Sequence, residues 1–467
     1  MAVMRASGPL RIAVVSLGCP KALIDSEKML ALLAEAGCLV GAPTDQADVI
    51  LINTCAFIRP AREEAMEAIR EALDKKRRGR VRRVVVTGCL PQREGGKLLS
   101  AVPDVDAIVG LFHRDEIVSA VTSQQSPFVR VGRIARKDCP DDRGRLRLTP
   151  RHTAYLRVAE GCSTGCSFCS IPGIRGPLRS KPMDIVLDEA AELIADGAIE
   201  LVLIAQDTTV YGKDFDDGTN LAMLLRRLDA LPGLRWLRLM YANAATLTEG
   251  VIDAIAECPR IVKYLDLPLQ HISDKILKLM RRRYDRLRAE SLLATLRRRV
   301  PGISLRTTFL VGFPQEGPKQ FQELLAFVRA ARFEAMGVFT YWPELGTTAA
   351  GLRGQVSQKV KDRRRRLLMQ AQQEIAFAAN AARVGSKVQV LVDGIDPAGR
   401  CVGRHAGQAP EVDSLCILKP AKAGADLSAS EAAAPLLGRI VEGKVVDFDE
   451  YDLIVEVDAG AADDANG

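Results

Sequence analysis

Three cysteines, Cys162, Cys166 and Cys169, fall within the stretch Glu160-Gly161-Cys162-Ser163-Thr164-Gly165-Cys166-Ser167-Phe168-Cys169, directly after the strand-like run Tyr155 to Val158. Thiolates spaced C-x3-C-x2-C on a short loop reach a common centre. Such a trio can wrap one face of a cubane [4Fe–4S] cluster. Three ligands serve three irons and leave the fourth open to an external ligand, which a purely electron-carrying site with four cysteines does not need. A structural zinc site with a fourth ligand elsewhere is the competing reading. Zinc knuckles commonly pair C-x2-C units, and the chain contains no second such unit.

A second trio is scattered in sequence but not in pattern. Cys19 follows the β-branched run Arg11 to Leu17, Cys55 follows Val49 to Asn53, and Cys89 follows Val84 to Thr87. Helical spacing separates these runs, over Ser26 to Ala36 and again over Arg62 to Lys76, with Gly37 as a C-cap. This βαβα alternation predicts a parallel sheet with crossover helices. The three cysteines then stand together at its carboxyl edge, where open α/β folds place their ligands. One such cysteine reads as a small buried hydrophobe; three on one edge read as a second metal site with an open position. Cys38, Cys139, Cys258, Cys401 and Cys416 have no partners at ligand spacing and read as structural.

The elements that must position the first trio begin at Ala154. Strand candidates Tyr155–Val158, Leu201–Ala205, Leu234–Met240, Tyr264–Leu267, Ser304–Val311 and Met336–Thr340 alternate with helical segments and predict a (βα)6 partial TIM barrel. Barrel enzymes keep their chemistry at the carboxyl ends of the strands. Those ends carry Gln206-Asp207-Thr208-Thr209, Tyr241 and Asn243, Gln270-His271, Gly312-Phe313-Pro314 and Tyr341-Trp342-Pro343-Glu344. His271 reads either as an ordinary hydrogen-bonded residue or as one touching the cavity. The runs Arg281 to Arg283 and Arg363 to Arg366 read as solvated helix faces, with the holding of acidic groups as the alternative. After a long helix from Val360 to Ala382, strand signals at Lys387–Val392, Glu411–Ile417, Arg439–Phe448 and Leu453–Val457 predict a small β-barrel. The alanine-rich stretch Ala421 to Ala434 reads as a loop.

The whole-chain numbers bound these readings. At 467 residues several domains are expected, and 48% hydrophobic with 26% charged residues is an ordinary globular composition. There is no apolar run of membrane-spanning length, and Ile12 to Leu17 is too short for a signal-peptide core, so a cytoplasmic location is expected. Eleven cysteines there argue for metal rather than disulfides, and four histidines are too few for a histidine-based centre. The net charge of +7 conceals an asymmetry: from Ser386 onward the chain carries −8, leaving +15 on residues 1–385. The acidic tail opposes phosphate binding and fits a basic protein partner.

Over nearly its full length the sequence resembles the radical S-adenosylmethionine (SAM) methylthiotransferases. The cysteine loop with its aromatic Phe168 carries the resemblance. So do Ser16-Leu17-Gly18-Cys19-Pro20-Lys21 with Asp25-Ser26-Glu27, Gln206-Asp207-Thr208-Thr209 with Tyr211-Gly212, Pro268 to Ser273, and Ala409-Pro410-Glu411-Val412-Asp413. These are most similar to the branch that modifies a ribosomal protein. Ala22, Trp342, Gln315-Glu316-Gly317 and Ser414 depart from its pattern, and none is a proposed cluster ligand.

The resemblance implies an α/β protein in three parts. They are an N-terminal three-cysteine domain (10–120), then, after a connector (121–150), a radical SAM partial barrel (151–383), and an OB-like TRAM β-barrel (384–460). It implies two [4Fe–4S] clusters, one on Cys19, Cys55 and Cys89 and one on Cys162, Cys166 and Cys169. SAM contacts fall to Gln206, Asp207, Gly312, Phe313 and Tyr341, and no side chain is assigned as catalytic. In the implied reaction the N-terminal cluster holds a sulfur species that one SAM methylates. The barrel cluster cleaves a second SAM to a 5′-deoxyadenosyl radical, which takes hydrogen from the β-carbon of an aspartate on the twelfth small-subunit ribosomal protein. The methylthio group is then transferred to that carbon. The implied partners are this basic ribosomal protein, docking on the acidic tail domain, and a reduced electron donor such as flavodoxin or ferredoxin. The sulfur donor is not indicated. The rival readings are a tRNA methylthiotransferase, acting on a modified adenosine, and a non-enzymatic iron–sulfur redox protein.

Overall fold

The computed structural model describes residues 8–132, 139–421 and 434–462. The alanine-rich stretch from Ala421 to Ala434 falls, but for its ends, outside the described residues. Among the described residues no helix is long and apolar enough to cross a membrane.

The N-terminal strands are β1 (Arg11–Ser16), β2 (Leu39–Val40), β3 (Val49–Thr54), β4 (Arg83–Gly88), β5 (Ala107–Gly110) and β6 (Phe128–Arg130). They form one parallel sheet in the order β2-β1-β3-β4-β5-β6. The order reverses between β1 and β3, and at such a switch point a parallel sheet opens a crevice. Every residue of β3 is buried, as expected for a strand covered on both faces. Helices Pro20–Glu35 and Arg59–Arg77 start earlier than their apolar spacing indicates, because each carries a proline in its first turn, where the missing N–H costs nothing. Strand β6 comes from the stretch read in sequence as connector.

The central unit has a two-stranded ribbon, β8 (Ala159–Glu160) with β9 (Arg179–Ser180), and a six-stranded parallel sheet. Its strands are β7 (Thr153–Arg157), β10 (Glu200–Ile204), β11 (Trp236–Leu239), β12 (Ile261–Asp266), β13 (Ser304–Val311) and β14 (Ala335–Thr340). They pair in sequence order, with β7 and β14 at the two edges. Alternate residues such as Leu201, Leu203, Leu237, Leu239, Leu305, Phe309, Met336 and Val338 pack outward against the helices. The intervening ones face inward, the period-two logic of a strand. This is the predicted open (βα)6 arrangement.

The tail strands β15 (Lys387–Ile395), β16 (Cys401–His405), β17 (Cys416–Pro420), β18 (Ile440–Asp449) and β19 (Asp452–Ala462) close into a barrel. Cys401 and Cys416 lie in its core. The strand expected from Glu411 begins only at Cys416. Residues 409–414 instead form a loop, with Glu411 at a φ of 66°, and Asp413 accepts bonds from the Tyr264 hydroxyl (2.8 Å) and from Arg306 (3.2 Å) on the inner face of the half-barrel.

One apolar cluster joins all three parts. Ile24 of the first helix, Tyr155, Val202, Ile204 and Tyr264 of the half-barrel, and Leu391, Ala409 and Ile440 of the tail pack together. Beside it lies a buried ionic junction. The Glu200 carboxylate accepts from Arg238 (2.8 Å) and Arg404 (2.8 Å), and Arg404 also pairs with Asp393. Burial pushes the Glu200 carboxyl up, but Arg404 and Arg238 outweigh it and bring it down to about 2. A carboxyl depressed in the folded state stabilises fully above its ordinary value of 4.5, and that contribution is lost as pH falls toward about 2. Glu200→Gln is therefore expected to cost about 3–5 kcal/mol at neutral pH by leaving two guanidiniums under-compensated. Denaturant unfolding at a series of pH values should show the gap to wild type narrowing through that window.

Candidate active site between two cysteine loops

Each cysteine of the N-terminal trio sits at the end of a strand. Cys19 is the N-cap of the helix Pro20–Glu35, and Cys89 is the first residue of the helix Cys89–Glu94. Helix N-termini favour negative charge, including thiolate. The Cys19 loop closes tightly over Cys55, so that a Cβ added at Gly18 would lie 3.1 Å from the Cys55 Cβ and 3.6 Å from its Sγ. The Arg175 guanidinium, 3.6 Å from Cys89 Sγ, acts electrostatically on all three sulfurs. Burial pushes the Cys89 thiol up to about 12 and raises that of Cys55. Cys19 behaves differently: burial would raise it, but Lys21, Arg175 and the N–H groups of Ala22 and Lys21 bring it below the ordinary thiol value.

The barrel trio lies on the loop after β8. Gly161, at a φ of 78°, lets this loop pass under Pro177, whose carbonyl oxygen would be 2.0 Å from an added Cβ. The loop is pinned at Ser167, which donates through its N–H to Met280 O (3.0 Å) and through its hydroxyl to Leu279 O (2.7 Å), and accepts from Ala349 N (2.9 Å). Arg282 lies 3.5 Å from Cys166 Sγ and donates to Pro268 O (3.0 Å). Burial drives the Cys169 thiol up to about 12 and raises that of Cys162.

The two trios thus share a feature: three thiols, from three strand ends in one and a single loop in the other, with an arginine beside them. Thiols that burial keeps protonated become ligands when a metal displaces the proton, and the adjacent cation offsets the charge that results. Among the described residues, no three His, Cys, Asp or Glu side chains stand close enough to hold a single metal ion. A cubane is a larger body than an ion, and three thiols with a cation beside them are the donor chemistry such a cluster takes.

A chain of polar side chains connects the trios. Arg175 donates to Glu160 (2.9 Å), and Gln206 Nε2 donates to the other oxygen of Glu160 (2.7 Å). Burial raises the Glu160 carboxyl, but Arg175 and Arg157 bring it down to about 2. Lys21 lies over the Tyr241 ring, its Nζ 3.3 Å from the centroid. Burial, reinforced by Arg175 and opposed in part by Cys19, Glu160 and Asp266, lowers its ammonium to about 8.

Of the residues expected at a SAM site, Gln206 and Asp207 adjoin the barrel loop. Asp207 accepts from Asn243 (2.8 Å) and from Thr164 (3.4 Å), whose hydroxyl is also 3.3 Å from Cys162 Sγ. The buried Gln206 Oε1 has no hydrogen-bond partner among the described residues, which fits a polar ligand. Phe313 meets Phe168 of the cysteine loop edge-on at 6.4 Å and Tyr341 at 5.2 Å, forming an aromatic wall. Gly312 stands behind that wall, its N–H bound by Glu316 (2.7 Å) and its α-carbon against the Lys361 stem. His271 is wholly buried; its Nδ1 accepts from Ser273 N (3.0 Å), and its Nε2, 3.6 Å from Glu316, has no hydrogen-bond partner among the described residues.

The arginine runs divide. Arg281, Arg283, Arg363, Arg365 and Arg366 are exposed. Arg282 turns into the site, and Arg364 is buried against Glu316 (2.9 Å), which corrects the solvated reading at those two positions. Sequence reasoning gave no role to Arg175, Lys21 or Glu160. The first lies in a short helix without pattern, and the other two were quoted only as parts of motifs.

Comparison with known proteins adds an independent line. Residues 11–110 match the model of the uncharacterized protein family UPF0004, residues 156–328 that of the radical SAM superfamily, and residues 384–457 that of the TRAM domain. The chain is 42% identical to a protein of Syntrophus aciditrophicus (strain SB) over 96% of this chain and 98% of that one. It is 44% identical to one of Anaeromyxobacter sp. (strain K) over 96% and 93%, and 41% identical to one of Geobacter sulfurreducens over 96% and 98%. All three bear the name ribosomal protein uS12 methylthiotransferase RimO. In fold the chain is similar to the radical S-adenosylmethionine methyltransferase TsrM of Kitasatospora setae, with a TM-score of 0.50 and 17% identity over 71% of this chain and 75% of that one.

The Arg282 guanidinium beside Cys166 yields a test of the barrel trio. After anaerobic reconstitution and a chelator wash, Arg282→Met is expected to lose iron selectively from the barrel loop, retaining about four irons per chain. Arg282→Lys should recover part of the loss.

Proposed function

The chain belongs to the radical SAM methylthiotransferase family, among the ribosomal protein uS12 enzymes, and from this we propose that it transfers a methylthio group to the β-carbon of an aspartate of uS12. One observation carries the reading. Two sets of three cysteines, one from three strand ends and one from a single loop, are joined through Arg175, Glu160 and Gln206 across the carboxyl ends of two parallel sheets; three thiolates on a cubane would leave one iron open in each. A redox carrier needs neither open position.

In this reading Cys19, Cys55 and Cys89 hold one [4Fe–4S] cluster and Cys162, Cys166 and Cys169 the other. When bound, the clusters and SAM supply the sulfur and the hydrogen-abstracting radical that an unactivated C–H bond requires. The remaining work falls to the chain. Gln206 and Asp207 orient the polar part of SAM beside the barrel loop, with the free Gln206 Oε1 accepting from it. Phe313, Phe168 and Tyr341 wall the site against water, and Gly312 seats Phe313. Arg282 and Arg175 offset cluster charge.

The uS12 protein docks on the tail. Glu442, Asp447, Asp449, Glu450 and Asp458 are exposed on β18, β19 and the turn between them, an acidic surface for a basic partner. A flavodoxin or ferredoxin delivers the electron, and the enzyme works in the cytoplasm.

Anaerobic reconstitution should give about eight irons per chain, and SAM under reduction should yield 5′-deoxyadenosine. Mass spectrometry of added uS12 should show methylthio-aspartate, while Cys55→Ala should keep deoxyadenosine release and lose the product. Product on tRNA alone would move the function to the RNA-modifying branch. Bound iron without SAM cleavage would leave a redox protein.

A further inference from the structure

We propose that Lys21 receives the side-chain carboxylate of the aspartate being modified and so fixes which carbon is presented. The proposal rests on the reading that the substrate is an aspartate of uS12.

Lys21 is only 6% exposed. Its Nζ lies over the Tyr241 ring, and among the described residues it makes no ion pair and no hydrogen bond. Most buried ammonium groups have an acceptor, because removing such a charge from water is costly and an aromatic face offsets only about 2 kcal/mol of it. Its place is doubly unfavourable, since a cation in the first turn of the helix Pro20–Glu35 opposes the helix dipole.

The carboxylates near it are engaged elsewhere. Glu160 is held by Arg157, Arg175 and Gln206. Asp266 is held by Arg306 (3.0 Å) and by the Tyr241 N–H (3.1 Å). Of the groups in the chain that could offset it, the Cys19 sulfur acts on Lys21 more strongly than either carboxylate, and among the described residues no carboxylate pairs with it; an incoming carboxylate would. Two residues from Cys19 and on the barrel's Tyr241, it stands where both halves of the site meet. A carboxylate bound there anchors the adjacent β-carbon between them. At the sheet edge β14 the inner face of the half-barrel is open to solvent: Phe339, on the same face as Gly337, which faces Arg306 and Thr308, is 55% exposed.

The test uses the reconstituted full chain as wild type, Lys21→Met and Lys21→Arg, with uS12 carrying either the native aspartate or asparagine. For Lys21→Met, KM for the aspartate form should rise about 10- to 100-fold, the worth of a charged hydrogen bond, with a smaller change in kcat. Wild type should prefer aspartate to asparagine, Lys21→Met should lose that preference, and Lys21→Arg should regain it in part. Iron content and the cluster EPR signals should match wild type. Unchanged KM and preference in Lys21→Met, or shifted EPR signals with KM unmoved, would overturn the proposal; the latter would make Lys21 a charge offset for the cluster. If Lys21→Met fails to load iron, Lys21→Gln, which keeps a donor without the charge, decides: loss of the aspartate preference supports carboxylate pairing, and wild-type KM and preference refute it. Wild type inactive on uS12 would instead refute the function on which the proposal rests.

Discussion

A single buried ionic network holds the two cysteine loops in relation to each other. Arg157, inaccessible to solvent, bonds Asp142 (2.9 Å), Asp25 (2.8 Å) and Glu160 (2.8 Å). Asp142 also takes Arg114 (2.8 Å) and Lys181 (3.1 Å), and Asp25 takes Arg175 (3.3 Å). These charges come from the N-terminal helix, from the segment just after residue 138, and from the half-barrel. An apolar core of the same volume would be as stable or more so, since burying charge costs several kcal/mol per ion. What the network adds is direction: each guanidinium fork accepts carboxylates only in certain orientations. Removing any member leaves its partners charged and buried.

The network also explains how the two trios keep a fixed relation between two separately folded sheets. Apolar contact alone would let the N-terminal sheet slide on the half-barrel. The cluster of Ile24, Tyr155 and Ile204 supplies adhesion without register. Register comes from the ion pairs on one side and from Glu344 on the other, which accepts from Arg59 N (2.7 Å) and from Arg93 (2.9 Å). Glu344 ends the loop after β14, so the last strand of the half-barrel is tied to the first domain. The tail, fastened through Glu200 and Asp413, closes the opposite end. Three bodies therefore bear on one interior.

Much of this was legible in the chain. The six strands of the half-barrel declare themselves because each is a β-branched or leucine-rich run between amphipathic helices. Cys19, Cys55 and Cys89 could be placed on one edge because parallel strands put all their carboxyl ends together. Strands β2, β5, β6, β8 and β9 were missed, being two to four residues long, too short for a period of two to register; β16, Cys401–His405, was missed because all five residues are buried, so no alternation marks it, and Gly403 interrupts it. Arg175 and Arg282 were missed for a different reason. Whether an arginine faces water or a thiol is decided by the tertiary packing of residues far away in sequence, and nothing local marks Arg282 apart from its exposed neighbours Arg281 and Arg283. His271 depends on packing in the same way: its ring is wholly buried near Glu316, forty-five residues on, which no local pattern marks.

The arginines bear on how the two sites depend on each other. A cluster with thiolate ligands is anionic, and at a buried site its charge must be met locally. For the barrel trio the cation, Arg282, belongs to the barrel. For the N-terminal trio Lys21 of the same domain acts on Cys19, but the cation that acts on all three sulfurs, Arg175, comes from the short helix that follows the barrel's own cysteine loop. Cys55 and Cys89 therefore have their cation only when the half-barrel is docked. Glu160, the residue before that loop's glycine, holds Arg175 in place and at the same time binds Gln206 on the barrel side. A displacement of either loop is thus felt at the other through two hydrogen bonds. The chemistry proposed for this protein needs two centres that act on one substrate, and the fold meets that need by making the charge balance of one centre depend on the position of the other.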